Sequence, residues 1–479
     1  MYAKDNKLKS ARELCCDVYV FIMFFAFPLF VLPSGYRNIT LAKWYFFIIA
    51  TAAYALFEIF FMIRLRILPK LSASLICVLV FFAACCLSAV FSPYGSGVIR
   101  GLGRYEGLLT LFFYCLCFFV LSDKPFKPKY VYFLAASGAV FSVISLIQLL
   151  DKNPLGLYPG EYLYYAAQDV YSAAFLGTVG NVGMVAVFIC VCVPMFYAFY
   201  VTSDEKRAAA VIPAAALLLF ILLYSDVDAG KVGILFSFAV TTVILATEKN
   251  FRRICVFLSV MSFAGALSAL ISPVYEYPEL EFTLKASPLF FAFAAAGVIA
   301  FCLSFARIKR PRLYIILLIC IVTVASVLFV YFYDAGSGML HELHEMMHGR
   351  VDPSFGTNRI RIWRESLALV PERPLLGGGP DTLPARLFIV FERVSEISSE
   401  TLTRTVDNAH NEYINLLVNV GILGLIPFLA LCVSSLFSKN NICKAAFLAY
   451  AAQAFFSFSV CITAPFFWML AAFLAKKKE

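Results

Sequence analysis

Residues 312–333 read RLYIILLICIVTVASVLFVYFY, and after Arg312 not one of them is charged. An apolar run of about 20 residues spans a hydrocarbon core when wound as a helix, so this stretch reads as a membrane span. Inside a bilayer each backbone amide must bond within its own segment, which favours a helix over an open strand. Working outward, comparable runs lie near 15–33, 43–63, 72–91, 105–121, 130–150, 178–201, 208–225, 230–247, 254–272, 286–306, 412–437, 444–460 and 464–476. The chain is therefore expected to be an all-α polytopic membrane protein with about 14 transmembrane helices, or about 12 if some runs fail to span. Pro465 leaves the end of the chain open to two readings, one bent helix or a tight pair. Composition agrees: 62% of the 479 residues are hydrophobic and 14% charged, whereas soluble domains are roughly half apolar.

Short cytoplasmic loops retain lysine and arginine, and short translocated loops do not. Lys4 to Arg12, Arg64 to Lys70, Lys124 to Lys129, Lys206 and Arg207, Lys249 to Arg253, Arg307 to Arg312, Lys439 and Lys444, and Lys476 to Lys478 all fall on one side of this topology. Both termini are expected in the cytoplasm, and the net charge of +9 reflects orientation in the membrane rather than nucleic-acid binding. The first apolar run lacks a following small-residue cleavage site and reads as a retained span. All 15 cysteines lie in or beside spans, where small apolar packing is their expected role. The expected organisation is an N-terminal bundle (1–333), one large extracytoplasmic helical loop (334–411) and C-terminal helices (412–479).

In that loop, residues 358–370 read as an amphipathic helix on the membrane surface, with Ile360, Trp363, Leu367 and Val370 on one stripe and Arg359, Arg361 and Arg364 at other angles. Pro374-Leu375-Leu376-Gly377-Gly378-Gly379-Pro380 is a rigid turn that lets backbone approach closely. A second helix is expected over 382–396. The loop ends in Asp407-Asn408-Ala409-His410-Asn411-Glu412, where Asp407 or Asn408 is placed to cap the next span. A helix start favours anions, and an imidazole there can exchange a proton with a hydroxyl or a leaving group. Simple capping, with His410 solvated, is the competing explanation.

Two other outer loops carry cations. Arg100 and Arg104 flank Gly101-Leu102-Gly103, and Lys231 follows Ser225, Asp226 and Asp228. They are candidate phosphate ligands or headgroup anchors. His344-Glu345-Met346-Met347-His348 matches the zinc-protease spacing, which would set His344 and His348 on one helix face with Glu345 as base. No third ligand follows at a fixed spacing, so no metal or other cofactor is expected.

Arg359-Ile360-Arg361-Ile362-Trp363, the proline–glycine turn, Ala409-His410-Asn411-Glu412-Tyr413 and Gly421-Ile422-Leu423-Gly424, in this order, resemble the O-antigen ligase and Wzy-type polymerase family. The resemblance implies a metal-independent, inverting, membrane-embedded glycosyltransferase that takes a glycan from undecaprenyl diphosphate on the outer face. Its acceptor would be a sugar, a lipid or a wall component. By position, Arg359 resembles the family's diphosphate-binding arginine, His410 its catalytic histidine and Arg104 a further family arginine. Glu412 is the lesser candidate base, and Arg100, Arg361, Lys231 and Asn411 are candidate substrate-binding residues. Where many members carry Ser-Arg, this chain has Ser225-Asp226, with Lys231 as the substitute.

From a different class, a transporter or flippase competes. Transporters show ionisable groups near the midplane, whereas these spans are almost free of charge and Glu58 sits near a cytoplasmic end.

Overall fold

The computed structural model describes residues 2–67, 70–158, 177–225, 227–276, 279–394 and 401–475; Asp226 and Lys476 to Lys478 lie outside them. The fold is helical with two short hairpins. In chain order the main helices are α1 (Tyr2–Phe21), α2 (Ile39–Leu65), α3 (Ala73–Val90), α4 (Leu108–Leu121), α5 (Lys129–Leu149), α6 (Val182–Thr202), α7 (Val211–Tyr224), α8 (Asp228–Leu245), α9 (Glu248–Leu270) and α10 (Pro288–Leu303). They continue as α11 (Pro311–Phe332), α12 (Gly338–Met347), α13 (Arg359–Ala368), α14 (Glu412–Leu436), α15 (Asn441–Gln453) and α16 (Ala464–Ala475). Among the described residues, nine helices are long and apolar enough to cross a membrane, and α4, α10 and α16 are shorter apolar helices.

Helix starts follow local chemistry. The side chains of Ser72, Asn181, Thr247, Ser287, Asn411 and Asn440 each accept an N–H from the first turn of the helix they precede. The α6 helix is the hub, its side chains almost all enclosed by neighbours, whereas α11 exposes most of its apolar surface and packs Ile315 against the core. The α1 helix runs into a π-turn (Ile22–Ala26), and Pro28 follows. Lys43 is fully buried there and donates to the carbonyls of Phe27 (2.6 Å) and Pro28 (2.9 Å). Glu58 accepts from Arg12 Nε (2.8 Å) and Lys124 Nζ (2.7 Å), so it is a paired structural charge.

The last two apolar runs are separate helices, α15 and α16, joined by residues 454–463 without regular structure. The α14 helix is interrupted at Gly421 (φ 69°, ψ −173°), a conformation open essentially to glycine alone. The proline–glycine turn docks at this break. Gly378 N donates to Val418 O (3.0 Å), Gly379 N to Asn419 O (2.8 Å), Ile422 N to Pro374 O (3.0 Å) and Leu423 N to Leu375 O (3.2 Å). A Cβ on Gly421 would meet Leu375 O at 2.3 Å or less, and one on Gly377 would meet Asn419 backbone at 2.5 Å. Asn419 Oδ1 accepts the N–H groups of Thr382 and Leu383, both at 3.0 Å.

Two expectations about the outer loop need correction. The helix expected over 382–396 does not form across 382–394, and 395–396 lie outside the described residues: Leu383–Ala385 is a single 3-10 turn, and β3 (Val390–Val394) pairs antiparallel with β4 (Thr401–Thr405). Pro384 stops the helix, and the apolar, β-branched Ile389 and Val390 with Phe391 suit a strand. The first hairpin, β1 (Ile271–Glu276) with β2 (Glu279–Leu284), joins α9 to α10. The helix expected over 358–370 does form as α13, but Ile362 and Ser366 are its buried positions, while Leu367 is 44% exposed. It packs on α14, so its buried face is chosen by that neighbour.

Candidate active site

The site sits where α13, the start of α14, the loop before α4 and the 454–463 connection meet. Asn411 caps α14 with its side-chain oxygen, accepting from Tyr413 N (3.0 Å) and Ile414 N (3.1 Å). The cap is thus Asn411 and not Asp407 or Asn408, and Asn411 is committed to it. Asn408 works one step earlier: its Oδ1 accepts His410 N at 2.9 Å. His410 takes a left-handed backbone (φ 47°), uncommon for a residue with a side chain. Together these bonds present the imidazole at the helix mouth.

Phe458 edges the His410 ring, centroids 5.2 Å apart at 89°. The Arg104 guanidinium lies over the same Phe458 ring at 4.8 Å, and Arg104 Nε donates to Asp407 Oδ2 at 2.7 Å. One phenyl ring therefore contacts both the histidine and the arginine. Burial first, then the positive charge of Arg359, with a smaller push from Arg104, pull the His410 pKa to about 4 against the opposing charge of Asp407. The imidazole is neutral at physiological pH and retains a lone pair for a proton.

Arg359 opens α13. Its Nη1 donates to Gly356 O (3.0 Å) and Thr357 Oγ1 (3.1 Å), while its Nε is buried with no hydrogen-bond partner among the described residues. Burial lowers its pKa, and Asp228 and Glu342 counter that effect. Asp228 also holds Lys231, Nζ to Oδ1 at 3.0 Å. Lys231 is therefore an ion-paired residue beside a carboxylate whose charge reaches Arg359.

The remaining candidates divide. Arg100 rests on Tyr105 (5.0 Å) and Trp44 (5.8 Å), an aromatic shelf next to Arg104. Arg361 instead pairs with Glu365 (2.8 Å) and lies over Phe391 of the β3 hairpin. Glu412 is buried, its Oε2 accepting Ser459 N at 2.7 Å, so it ties the 454–463 connection to α14. Asp407 serves as the partner of Arg104 rather than as the expected cap, and Phe458 and Asp381 are site residues outside the sequence motifs. Asp407 lay in the quoted motif as a cap, whereas Phe458 and Asp381 carry no local pattern and are brought in by tertiary structure.

In the histidine-rich stretch the His344 and His348 rings lie together, centroids 4.3 Å apart. The Nδ1 of His344 contacts Val330 O, and that of His348 contacts His344 O, both at 2.8 Å. The grouping with metal-ligand proximity is instead Asp334, His341 and Glu345, and Glu345 is already held by Arg350 at 2.6 Å.

No curated protein matches the chain. Residues 282–429 match a family model described as O-antigen ligase, a stretch that takes in Arg359, the proline–glycine turn, His410 and the Gly421 break. Through that segment, which is under a third of the chain, the protein is similar to the O-antigen ligase family, and its long apolar helices agree with a multi-pass membrane protein.

Proposed function

We propose that the chain transfers a glycan from undecaprenyl diphosphate to an acceptor hydroxyl on a sugar, lipid or wall component, at the outer face of a bacterial cell membrane. In this reading both termini are cytoplasmic, the chain crosses the bilayer about 12 to 14 times, and residues 334–411 form the outer subdomain. The family match supports a glycosyltransferase-like activity. The observation that carries the reading is the grouping of His410 with Arg359 and Arg104 at the start of α14.

No nucleotide sugar is expected outside the cell, so the donor must bring its own leaving group, and a lipid diphosphate does so. The acceptor oxygen attacks the anomeric carbon from the face opposite the departing phosphate, which inverts the configuration. The acceptor proton passes to neutral His410 as the new C–O bond forms. The breaking bond leaves its electron pair on the diphosphate, and Arg359 and Arg104 offset that charge in a poorly hydrated site. Arg100 flanks the same path, and Lys231 is the candidate second phosphate contact. No metal has a role in these steps.

The test is reconstitution with undecaprenyl-diphosphate-linked oligosaccharide and candidate acceptors. His410→Ala and Arg359→Ala are expected to abolish transfer. Full transfer by both variants would overturn the proposal. In cells lacking the protein, donor should accumulate unconsumed on the outer face; donor trapped inside would favour a flippase.

A further inference from the structure

Asp381 lies just after the proline–glycine turn, in the outer loop, with a left-handed backbone (φ 54°). Its Oδ2 accepts three backbone N–H groups from the loop before α4: Gly103 and Arg104 at 3.0 Å and Glu106 at 3.3 Å. Its own carbonyl accepts Leu102 N at 3.1 Å. One residue thus holds four amides of a five-residue stretch that is 275 or more positions away in sequence. The glycines of that loop fit the arrangement. A Cβ on Gly101 would meet Asp381 Oδ2 at 2.3 Å, and one on Gly103 would meet Pro384 Cγ at 2.8 Å and Asp381 Oδ1 at 3.0 Å.

The far end of the clasp is the site. The backbone that Asp381 holds is that of Arg104, whose side chain reaches Asp407 and covers Phe458 beside His410. Asp381 is anchored in turn: the turn before it bonds to the broken α14, and the next residue, Thr382, donates to Asn419 of α14. We infer that Asp381 is a positioning residue that fixes the Arg100–Glu106 loop to the outer subdomain and so sets where the Arg104 guanidinium stands relative to His410. The clasp and the Arg104–Asp407 pair both join that loop to the rest of the site. A carboxylate accepting several N–H groups makes a stiff and directional anchor, stronger than neutral bonds of the same geometry.

The functional part of this inference rests on the reading of Arg104 as a phosphate ligand; the clasp itself does not. The experiment separates the two. Wild type, Asp381→Asn, Asp381→Ala, Arg104→Ala and the double variant Asp381→Ala/Arg104→Ala are placed in nanodiscs. Amide hydrogen exchange across residues 101–107 and affinity for undecaprenyl diphosphate are measured for each. Asp381→Ala is expected to speed exchange in that segment and to weaken undecaprenyl diphosphate binding roughly tenfold or more. Asp381→Asn keeps a side-chain acceptor and should recover part of both. In the double variant, binding should be no weaker than in Arg104→Ala alone, because the anchor acts only through that arginine. Unchanged exchange in a folded Asp381→Ala or Asp381→Asn protein would overturn the clasp. Faster exchange with unaltered affinity, or additive losses in the double variant, would overturn the positioning role. Wild type that binds no undecaprenyl diphosphate would sink the donor assignment and the positioning role, and leave the clasp to be judged by exchange alone.

Discussion

Arg104 Nε donates to Asp407 Oδ2 across 2.7 Å, although the two residues are 303 positions apart in the chain. Both side chains are about one-third exposed (32% and 29%), so the pair contributes at most about 1 kcal/mol to stability. Its consequence is placement: it joins the loop before α4 to the segment that carries His410. If the guanidinium serves the leaving diphosphate, Arg104→Ala should reduce transfer by roughly tenfold or more. Asp407→Asn leaves the cation in place and should cost far less. Kinetics of the two variants with the reconstituted donor decide this, and equal losses would mean that the pair only holds the fold.

The pH dependence follows from His410. An unfolded imidazole protonates near 6.5, and in the folded protein the value falls to about 4. A base must be neutral to accept a proton, so the acid limb due to His410 should lie near the folded value, and any earlier decline near pH 6 should come from the Asp381 carboxyl, which burial raises to about 6. Stability has a definite sign too. As pH falls from about 6.5 to about 4, the unfolded chain takes up a proton that the folded chain refuses, so this residue increasingly favours unfolding across that window. An acid limb near 6.5 that persists in Asp381→Asn would show a solvated imidazole instead.

The long apolar helices were legible because a bilayer demands such runs, a rule that depends little on distant neighbours, although among the described residues nine helices, fewer than the runs expected, are long and apolar enough to cross. The motifs around Arg359 and His410 were legible by residue order. What sequence could not give was the partner of each. The triple glycine was correctly read as a site of close backbone approach, yet what approaches is α14 at Gly421. The stripe through Ile360 and Leu367 is a sound helical pattern, but α14 selects Ile362 and Ser366 as the buried positions. Asp381 and Phe458 lie in no motif and join the site only when segments hundreds of residues apart meet.

Gly421 should tolerate no side chain. It combines a backbone region reserved for glycine with a Cβ position 2.2 Å from Leu375 O. Gly95 also has a positive φ (56°) but has nothing within 4 Å of an added Cβ. Backbone strain alone costs about 1–3 kcal/mol. Gly95→Ala should stay within that range, and Gly421→Ala should exceed it. Thermal unfolding in detergent compares them, and an equal drop would mean that the docked turn yields easily.

Chelation should leave transfer unaffected. Glu345, the base the protease pattern would need, is tied to Arg350 through both carboxylate oxygens at 2.6 Å. Glu345→Ala and EDTA treatment are both expected to preserve activity. Loss under either treatment, with His410→Ala still active, would transfer the chemistry to the histidine-rich helix.

His410 and Glu412 are neighbouring candidates for the base, and their surroundings separate them. The Glu412 side chain is buried (7% exposed), and its Oε2 accepts the Ser459 amide at 2.7 Å, so removing it strands a buried N–H at a cost of about 1–3 kcal/mol. Gln at this position keeps an acceptor of similar shape but cannot take a proton. Glu412→Gln should therefore retain most activity, and Glu412→Ala should lose stability first, with the 454–463 connection and Phe458 released from the site. His410→Gln keeps hydrogen-bonding capacity and still loses the titrating nitrogen, so it should be inactive in a stable protein. Rates and melting curves for the three variants settle the assignment. An inactive but fully stable Glu412→Gln, paired with an active His410→Gln, would make the carboxylate the base.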